Sequence, residues 1–212
     1  MKAESERPVL GVMLAGGQNR RYDGAPKALE SVGGERIADR AIRVMREAFD
    51  RVVLVANDFE IFKTLELEAR PDLTPGLGAL GGIQTAVAWA DEEGYRGAVV
   101  VACDMPFLSP GLLKQIAEGA GDDEVVAPES ESRRGLEPLC AFYGVRCRAA
   151  IDNALARGDR HVISFFPDIR VRTIPLDDVA EFGDPGLLFL NVNTPNDREL
   201  AEAAARGEGP SL

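Results

Sequence analysis

The chain has 212 residues, 45% of them hydrophobic and 28% charged, which suits one α/β domain spanning 1–212 with a substantial core. Its formal net charge of −11 repels polyanions and argues against broad nucleic-acid binding. No apolar run approaches the roughly 18 residues that span a bilayer, and MKAESERP lacks the apolar core of a signal peptide, so a cytoplasmic protein with no membrane partner is expected.

From the N-terminus, Val9–Ala15 reads as a buried strand. The apolar spacing of Arg36–Phe49 predicts a helix. Arg51–Ala56 is a second strand, Glu60–Leu65 a short helix and Leu67–Ala69 a short third strand. Pro71–Gly82 (PDLTPGLGALGG) is too rich in glycine and proline to be regular and opens into a helix over Ile83–Glu93. Ala98–Ala102 (AVVVA) is a buried strand running into Cys103-Asp104-Met105-Pro106. A helix over Pro110–Glu118 starts at a Ser109 cap. Strands are predicted at Val125–Ala127, Leu139–Tyr143, Val171–Ile174 and Leu187–Leu190. Helices are predicted at Arg146–Ala156, Val162–Phe166 and Thr194–Arg206. The termini, 1–7 and 207–212, are expected to fray.

This alternation implies α/β architecture: a doubly wound three-layer sandwich with a mostly parallel central sheet. Such sheets bind ligands at the carboxyl ends of their strands. The motif-bearing segments fall there: after Ala15, after Ala56, after Ala102 and after Leu190.

The stretch LAGGQNRRYDGAPKAL, Leu14–Leu29, is the first of them. Gly16 and Gly17 let the backbone approach a ligand and present its N–H groups. Arg20, Arg21 and Lys27 can neutralise phosphate oxygens. The spacing is neither a Walker A loop nor a dinucleotide fingerprint, and a tight strand-to-helix loop with solvated arginines is the alternative. Asp104, at the end of a buried strand, is costly unless paired or bound to a metal. Magnesium needs only one or two carboxylates beside substrate phosphates and water. Asp72 and Asn57 can bond ribose or base, with Asx-turns as the rival. Gly78, Gly81 and Gly82 let a bulky substrate lie against the chain, or simply make a turn. Arg160 can close over a terminal phosphate, or form a surface ion pair. Asn191 and Asn193 can reach the same edge, or form a turn before the Thr194 cap. Cys103, beside Asp104, is a poor nucleophile. Three cysteines without a CxxC pair and one histidine, His161, argue against zinc.

Taken in order, Leu14-Ala15-Gly16-Gly17, Arg21, Gly24, Lys27, Asn57-Asp58, PGLGALGG (75–82), CDMP (103–106), EPLCAFY (137–143), GDR (158–160) and NVNTP (191–195) resemble the motifs of the molybdenum cofactor guanylyltransferases. The resemblance covers nearly the whole chain. It implies a nucleotide-diphospho-sugar transferase-like, Rossmann-like fold and transfer of GMP from GTP to the terminal phosphate of molybdenum-molybdopterin. It implies Mg2+ at Asp104, with Lys27, Arg21 and Asp104 catalytic. Leu14, Ala15, Gly16, Gly17, Lys27, Asn57, Asp72 and Asp104 would bind nucleotide. Arg21, Gly24, Gly78, Gly82, Arg160, Asn191 and Asn193 would bind the acceptor. Molybdoenzymes or maturation proteins are further partners.

Tyr22-Asp23 stands where the family usually has Met-Gly, and Pro26 where it often has aspartate. A cytidylyltransferase for the same pterin, a sugar-phosphate nucleotidyltransferase and a non-catalytic nucleotide sensor therefore stay open. Glycine rather than alanine at position 16 leaves room for a purine and points to GTP.

Overall fold

A computed structural model describes residues 7–15, 27–120 and 123–208. The sheet strands are β1 (Leu10–Leu14), β4 (Val52–Val55), β5 (Ala69–Arg70), β6 (Gly97–Ala102), β7 (Val125–Pro128), β8 (Cys140–Gly144) and β9 (Val171–Ile174). They form a seven-stranded sheet in the order β5-β4-β1-β6-β8-β7-β9. β5, β4, β1 and β6 are mutually parallel, as are β7 and β9. β8 runs antiparallel to both β6 and β7. A small hairpin, β2 (Ser31–Val32) and β3 (Glu35–Arg36), stands apart from this sheet.

Side chains along each strand alternate between two cores. Leu10, Val12 and Leu14 of β1, with Ala98 and Val100 of β6, face Ile83, Ala86, Val87 and Trp89 of α3 (Gly78–Glu92), and Ile151 and Ala154 of α5 (Arg148–Ala156). Met13, Val99 and Val101 face the other way, onto Ala41 and Met45 of α1 (Ile37–Ala48) and Leu112, Leu113 and Ile116 of α4 (Pro110–Glu118). Burial on both faces explains why β1 and β6 read as continuous apolar runs. The expected three-layer sandwich with a mostly parallel sheet is what the chain forms. Among the described residues no helix is long and apolar enough to cross a membrane.

Several expectations need correction. Leu187–Leu190 is not a strand: Pro185–Leu188 forms a short helix, α7, capped by the Asp184 side chain accepting from the Gly186 amide at 2.8 Å. A short apolar run cannot distinguish strand from buried helix. Val162–Phe166 is a series of turns ending in a 3-10 turn, Phe166–Asp168, rather than a helix. The glycine-rich PGLGALGG is only half irregular, because α3 already begins at Gly78. Gly81 and Gly82 lie buried in its first turns, where a Cβ on Gly81 would come within 2.8 Å of Leu77 Cβ. Close packing, not flexibility, uses these two glycines. Ser109 occupies the N-cap of α4 but makes no side-chain capping bond. The short helices α2 (Phe59–Phe62) and α6 (Leu176–Ala180) complete the set with α8 (Pro195–Ala205).

The antiparallel β6–β8 contact is tight enough to test. A Cβ built on Gly97 would lie 2.5 Å from the Tyr143 carbonyl oxygen and 2.7 Å from the Phe142 ring. Gly97→Ala should destabilise the fold by about 1–3 kcal/mol. The melting temperature should fall by about 2–4 °C for each kcal/mol. An unchanged melting temperature would show that the two strands can separate without cost.

Candidate nucleotide site at the carboxyl edge of the sheet

The parallel strands end together. Ala15 at the end of β1 bonds the Val55 carbonyl, Ala56 after β4 bonds the Arg70 carbonyl, and Cys103 after β6 bonds the Leu14 carbonyl at 3.1 Å. Asp72, Asn57, Ala15 and Asp104 therefore stand in a row, one per strand across β5-β4-β1-β6. Strand spacing makes that row about 14 Å long.

At one end, Asn57 and Asp72 grip one another. The Asn57 amide donates to Asp72 Oδ2 at 2.8 Å, and the Asp72 backbone N–H donates to Asn57 Oδ1 at 3.0 Å. The pair leaves Asp72 Oδ1 outside these two bonds, so a hydroxyl can be met without dismantling them. Gly82 packs behind: its Cβ would come within 3.3 Å of Leu14 and 3.7 Å of Asp72 Oδ1. Gly82 thus serves the seating of α3 under the row. Gly78 is exposed, with φ +65°, and opens the helix. Leu77 caps α3 with no side-chain bond, so the helix presents first-turn amides toward this edge, a favourable setting for phosphate.

Arg160 comes from a distant part of the chain. Its guanidinium donates to the Gly76 carbonyl at 3.1 Å, which ties the GDR segment to the glycine-rich turn. The NVNTP segment follows α7 rather than a strand, yet it still reaches the row. The Val192 amide donates to the Asp104 carbonyl at 3.1 Å. Asp197 fixes the flanking backbone, accepting from the amides of Asn193 and Thr194 at 2.9 and 2.7 Å. Thr194 and Asp197 form a capping box for α8. Asn191 spends one amide hydrogen on the Phe189 carbonyl, at 3.1 Å.

Asp104 is half-buried at the end of β6. One residue was missed at the sequence level: Glu137, at the head of the EPLCAFY segment. The Ala102 amide bonds the Leu139 carbonyl at 2.9 Å, extending the Val101↔Cys140 pairing. The pairing stops there, since Cys103-Asp104 and Pro138-Leu139 lie in turns, and Glu137 donates its amide to the Pro128 carbonyl while its carboxyl still feels the Asp104 charge. Its Oε1 accepts from the Leu139 amide at 3.0 Å. Burial pushes the Glu137 carboxyl above the ordinary glutamate range. The Leu139 bond and the charge of Arg134 pull it back, and the Asp104 charge pushes it up again. Cys103 is driven up to about 12 by burial and then by Asp104, so it stays a thiol.

Among the described residues no group of three or more His, Cys, Asp or Glu could cage a metal. One carboxylate such as Asp104 suffices for magnesium, which completes its shell with substrate oxygens and water. It does not fit a structural zinc. Gly16, Gly17, Arg21 and Gly24 lie outside the described residues. Lys27 opens the 3-10 turn Lys27–Leu29 that leads toward β2.

A MobA-like NTP transferase domain model matches residues 11–171. A probable molybdenum cofactor guanylyltransferase of Pelotomaculum thermopropionicum is 36% identical over 201 residues, 93% of this chain and 95% of the relative. The molybdenum cofactor guanylyltransferase of Desulfosudis oleivorans is also 36% identical, over 93% of this chain and 96% of its own. Among solved structures, molybdopterin-guanine dinucleotide biosynthesis protein A from Archaeoglobus fulgidus superposes with a TM-score of 0.75 at 26% identity, covering 94% of this chain and all of that one. A 2-C-methyl-D-erythritol 4-phosphate cytidylyltransferase from Thermus thermophilus shares the fold at a TM-score of 0.63, with 19% identity over 93% of this chain and 99% of its own. With its carboxyl-edge row in place and the family model matched over most of its length, the chain belongs to the MobA-like NTP transferase family.

Proposed function

We propose that the protein transfers GMP from GTP to the terminal phosphate of molybdenum-molybdopterin, releasing pyrophosphate and forming a guanine dinucleotide cofactor. The relatives named above carry that activity in their names. The observation that carries the reading is the row Asp72–Asn57–Ala15–Asp104. A nucleotide laid along it has ribose at the Asn57–Asp72 pair and its α-phosphate near Asp104.

The acceptor is a phosphate monoester, already anionic at neutral pH, so no side chain has to create the nucleophile. The barrier is the approach of one anion to another, and the protein's part is positioning and charge compensation. Asp104 would hold Mg2+, which when bound would offset charge on the α-phosphate. Lys27 and Arg21 offset charge on the triphosphate and the incoming phosphate. The Asn57–Asp72 pair fixes the ribose end. Arg160, held over the glycine-rich turn, and Asn193, beside Asp104, complete the acceptor side.

Three measurements test this reading. Incubation with each of the four NTPs, Mg2+ and molybdopterin, read as pyrophosphate and product mass, should give the guanine dinucleotide. GTP should exceed CTP by at least about tenfold in kcat/KM; equal use of CTP would end the guanylyl assignment. Asp104→Asn should fold with the parent's melting temperature, lose Mg2+-dependent turnover and lose Mn2+ binding in the presence of GTP. Near-parent turnover would remove the metal from Asp104. Lys27→Ala should lower kcat at least about tenfold, equivalent to about 1.4 kcal/mol. A rise in KM for GTP alone would make Lys27 a tether.

A further inference from the structure

Between β7 and β8 the chain makes a hairpin whose turn none of the motifs above includes. β7 is parallel to β6, because both run opposite to β8, so the hairpin stands at the same carboxyl edge as Asp104. Its stem is the Glu129↔Leu136 bridge. The Ser130 amide bonds the Gly135 carbonyl at 3.1 Å, and the Gly135 amide bonds the Ser132 carbonyl at 2.8 Å. Gly135 takes a φ of +68° to close the turn. The stem is anchored from outside: the Glu129 carboxylate accepts from the Leu176 amide at 3.1 Å and from the Thr173 hydroxyl at 3.4 Å.

Arg133 and Arg134 occupy the two central positions of this turn. Such positions favour proline, asparagine, aspartate or glycine, and arginine gives the turn nothing. Both residues are exposed. Two adjacent cations repel each other, and neither makes a hydrogen bond or ion pair with another described residue, in a chain whose net charge is −11. Arg134 is nevertheless placed: its charge acts on Glu137, and Glu137 in turn feels Asp104. The turn therefore hangs on the β8 side of Asp104, opposite the Asn57–Asp72 pair.

We propose that this hairpin is an acceptor arm: the guanidinium groups of Arg133 and Arg134 bind the phosphate monoester of the acceptor and bring it to the Asp104 end of the row from the β8 side. A guanidinium fork suits a phosphate dianion, which it meets with two parallel hydrogen bonds. The inference rests on the proposed reaction for the acceptor's identity, and its geometry rests on the sheet register.

The test uses the full chain and the double variant Arg133→Ala/Arg134→Ala, whose changes lie on an exposed turn. Calorimetric titration with molybdopterin alone, without nucleotide, should show at least about tenfold weaker binding in the variant. That corresponds to about 1.4 kcal/mol. In steady state the KM for molybdopterin should rise by a similar factor, with kcat and the KM for GTP within about twofold of the parent. The salt dependence of kcat/KM for the acceptor should flatten. Arg133→Lys/Arg134→Lys should keep that salt dependence while losing part of the affinity. Parent-like binding of molybdopterin by the alanine variant would overturn the arm while leaving guanylyl transfer standing. A joint rise of both KM values would also overturn it. A parent that uses CTP while the variant still loses the acceptor would overturn the guanylyl reading and keep the arm. A parent that binds no molybdopterin overturns both.

Discussion

The site exists because four parallel strands run out of sheet at the same edge. Inside the sheet β4, β1 and β6 are paired on both sides, and β1 and β6 are buried on both faces. Polar side chains can enter only where the ladders stop. The last bonds of those ladders, from Ala15, Ala56 and Cys103, set the positions of the residues that follow them. Asp72, Asn57 and Asp104 are each one or two residues past such a bond. Their spacing is thus inherited from strand spacing, which differs little between proteins. A row of this kind does not depend on any loop holding a shape by itself.

The sheet alone supplies only one side of the site. The other residues arrive on segments far away in sequence, and each is tied by a backbone contact. Val192 is buried, packs with Val32, Ile37 and Ala201, and docks its amide on the Asp104 carbonyl. α8 holds that arrangement through its capping box and through Glu202, which accepts from the Gly33 amide at 3.1 Å. Loosening the C-terminal helix would therefore disturb the neighbourhood of Asp104 without touching any substrate. Arg160 on Gly76 does the same for the glycine-rich turn. The carbonyls being gripped belong to the site's own loops, so the link between chain ends and site is mechanical rather than merely proximate.

Local pattern read some of this well and some of it badly, for physical reasons. Val171–Ile174 and Pro110–Glu118 were legible to the residue, because strong periodicity and a proline start or β-branched run leave few alternatives. The edge location of Asp104 was legible because a carboxylate after an apolar run marks a strand's end, and that of Asp72 because Pro71 ends the strand before it. Leu187–Leu190 misled because four apolar residues carry no period, and Asp184 and Pro185 decided for a helix. Direction was illegible too: nothing within CAFYG shows that β8 runs against β6. For that reason Glu137 was invisible as a neighbour of Asp104. Its nearness follows from β8 running against β6, which appears only once the two strands are paired. Arg133 and Arg134 were hidden likewise, since two arginines in a polar stretch look like any solvated turn.

The disposition of charge separates the site from the rest of the surface. Many arginines elsewhere are paired with acids: Arg51 pairs with Glu68 and Glu93, Arg70 with Glu92 and Glu93, Arg148 with Asp91, Arg157 with Asp159 and Asp168. Such pairs contribute little each, but they leave those cations unable to attract a ligand. At the edge the pattern changes. Arg160 rests on a carbonyl, and Arg133 and Arg134 have no acid at hydrogen-bonding distance among the described residues. In a chain of net charge −11, the exposed Arg133 and Arg134 make a local positive patch on a turn past the sheet edge. Under the proposed reaction such a patch would draw an anionic substrate to this rim. Half-buried Glu137 has its carboxyl raised by burial and, to a lesser extent, by the Asp104 charge, while the Leu139 amide and Arg134 lower it. Under the proposed reaction a divalent cation arriving with the nucleotide would relieve the repulsion between these two carboxylates, so substrate and metal would complete a site that the protein alone leaves electrostatically unfinished.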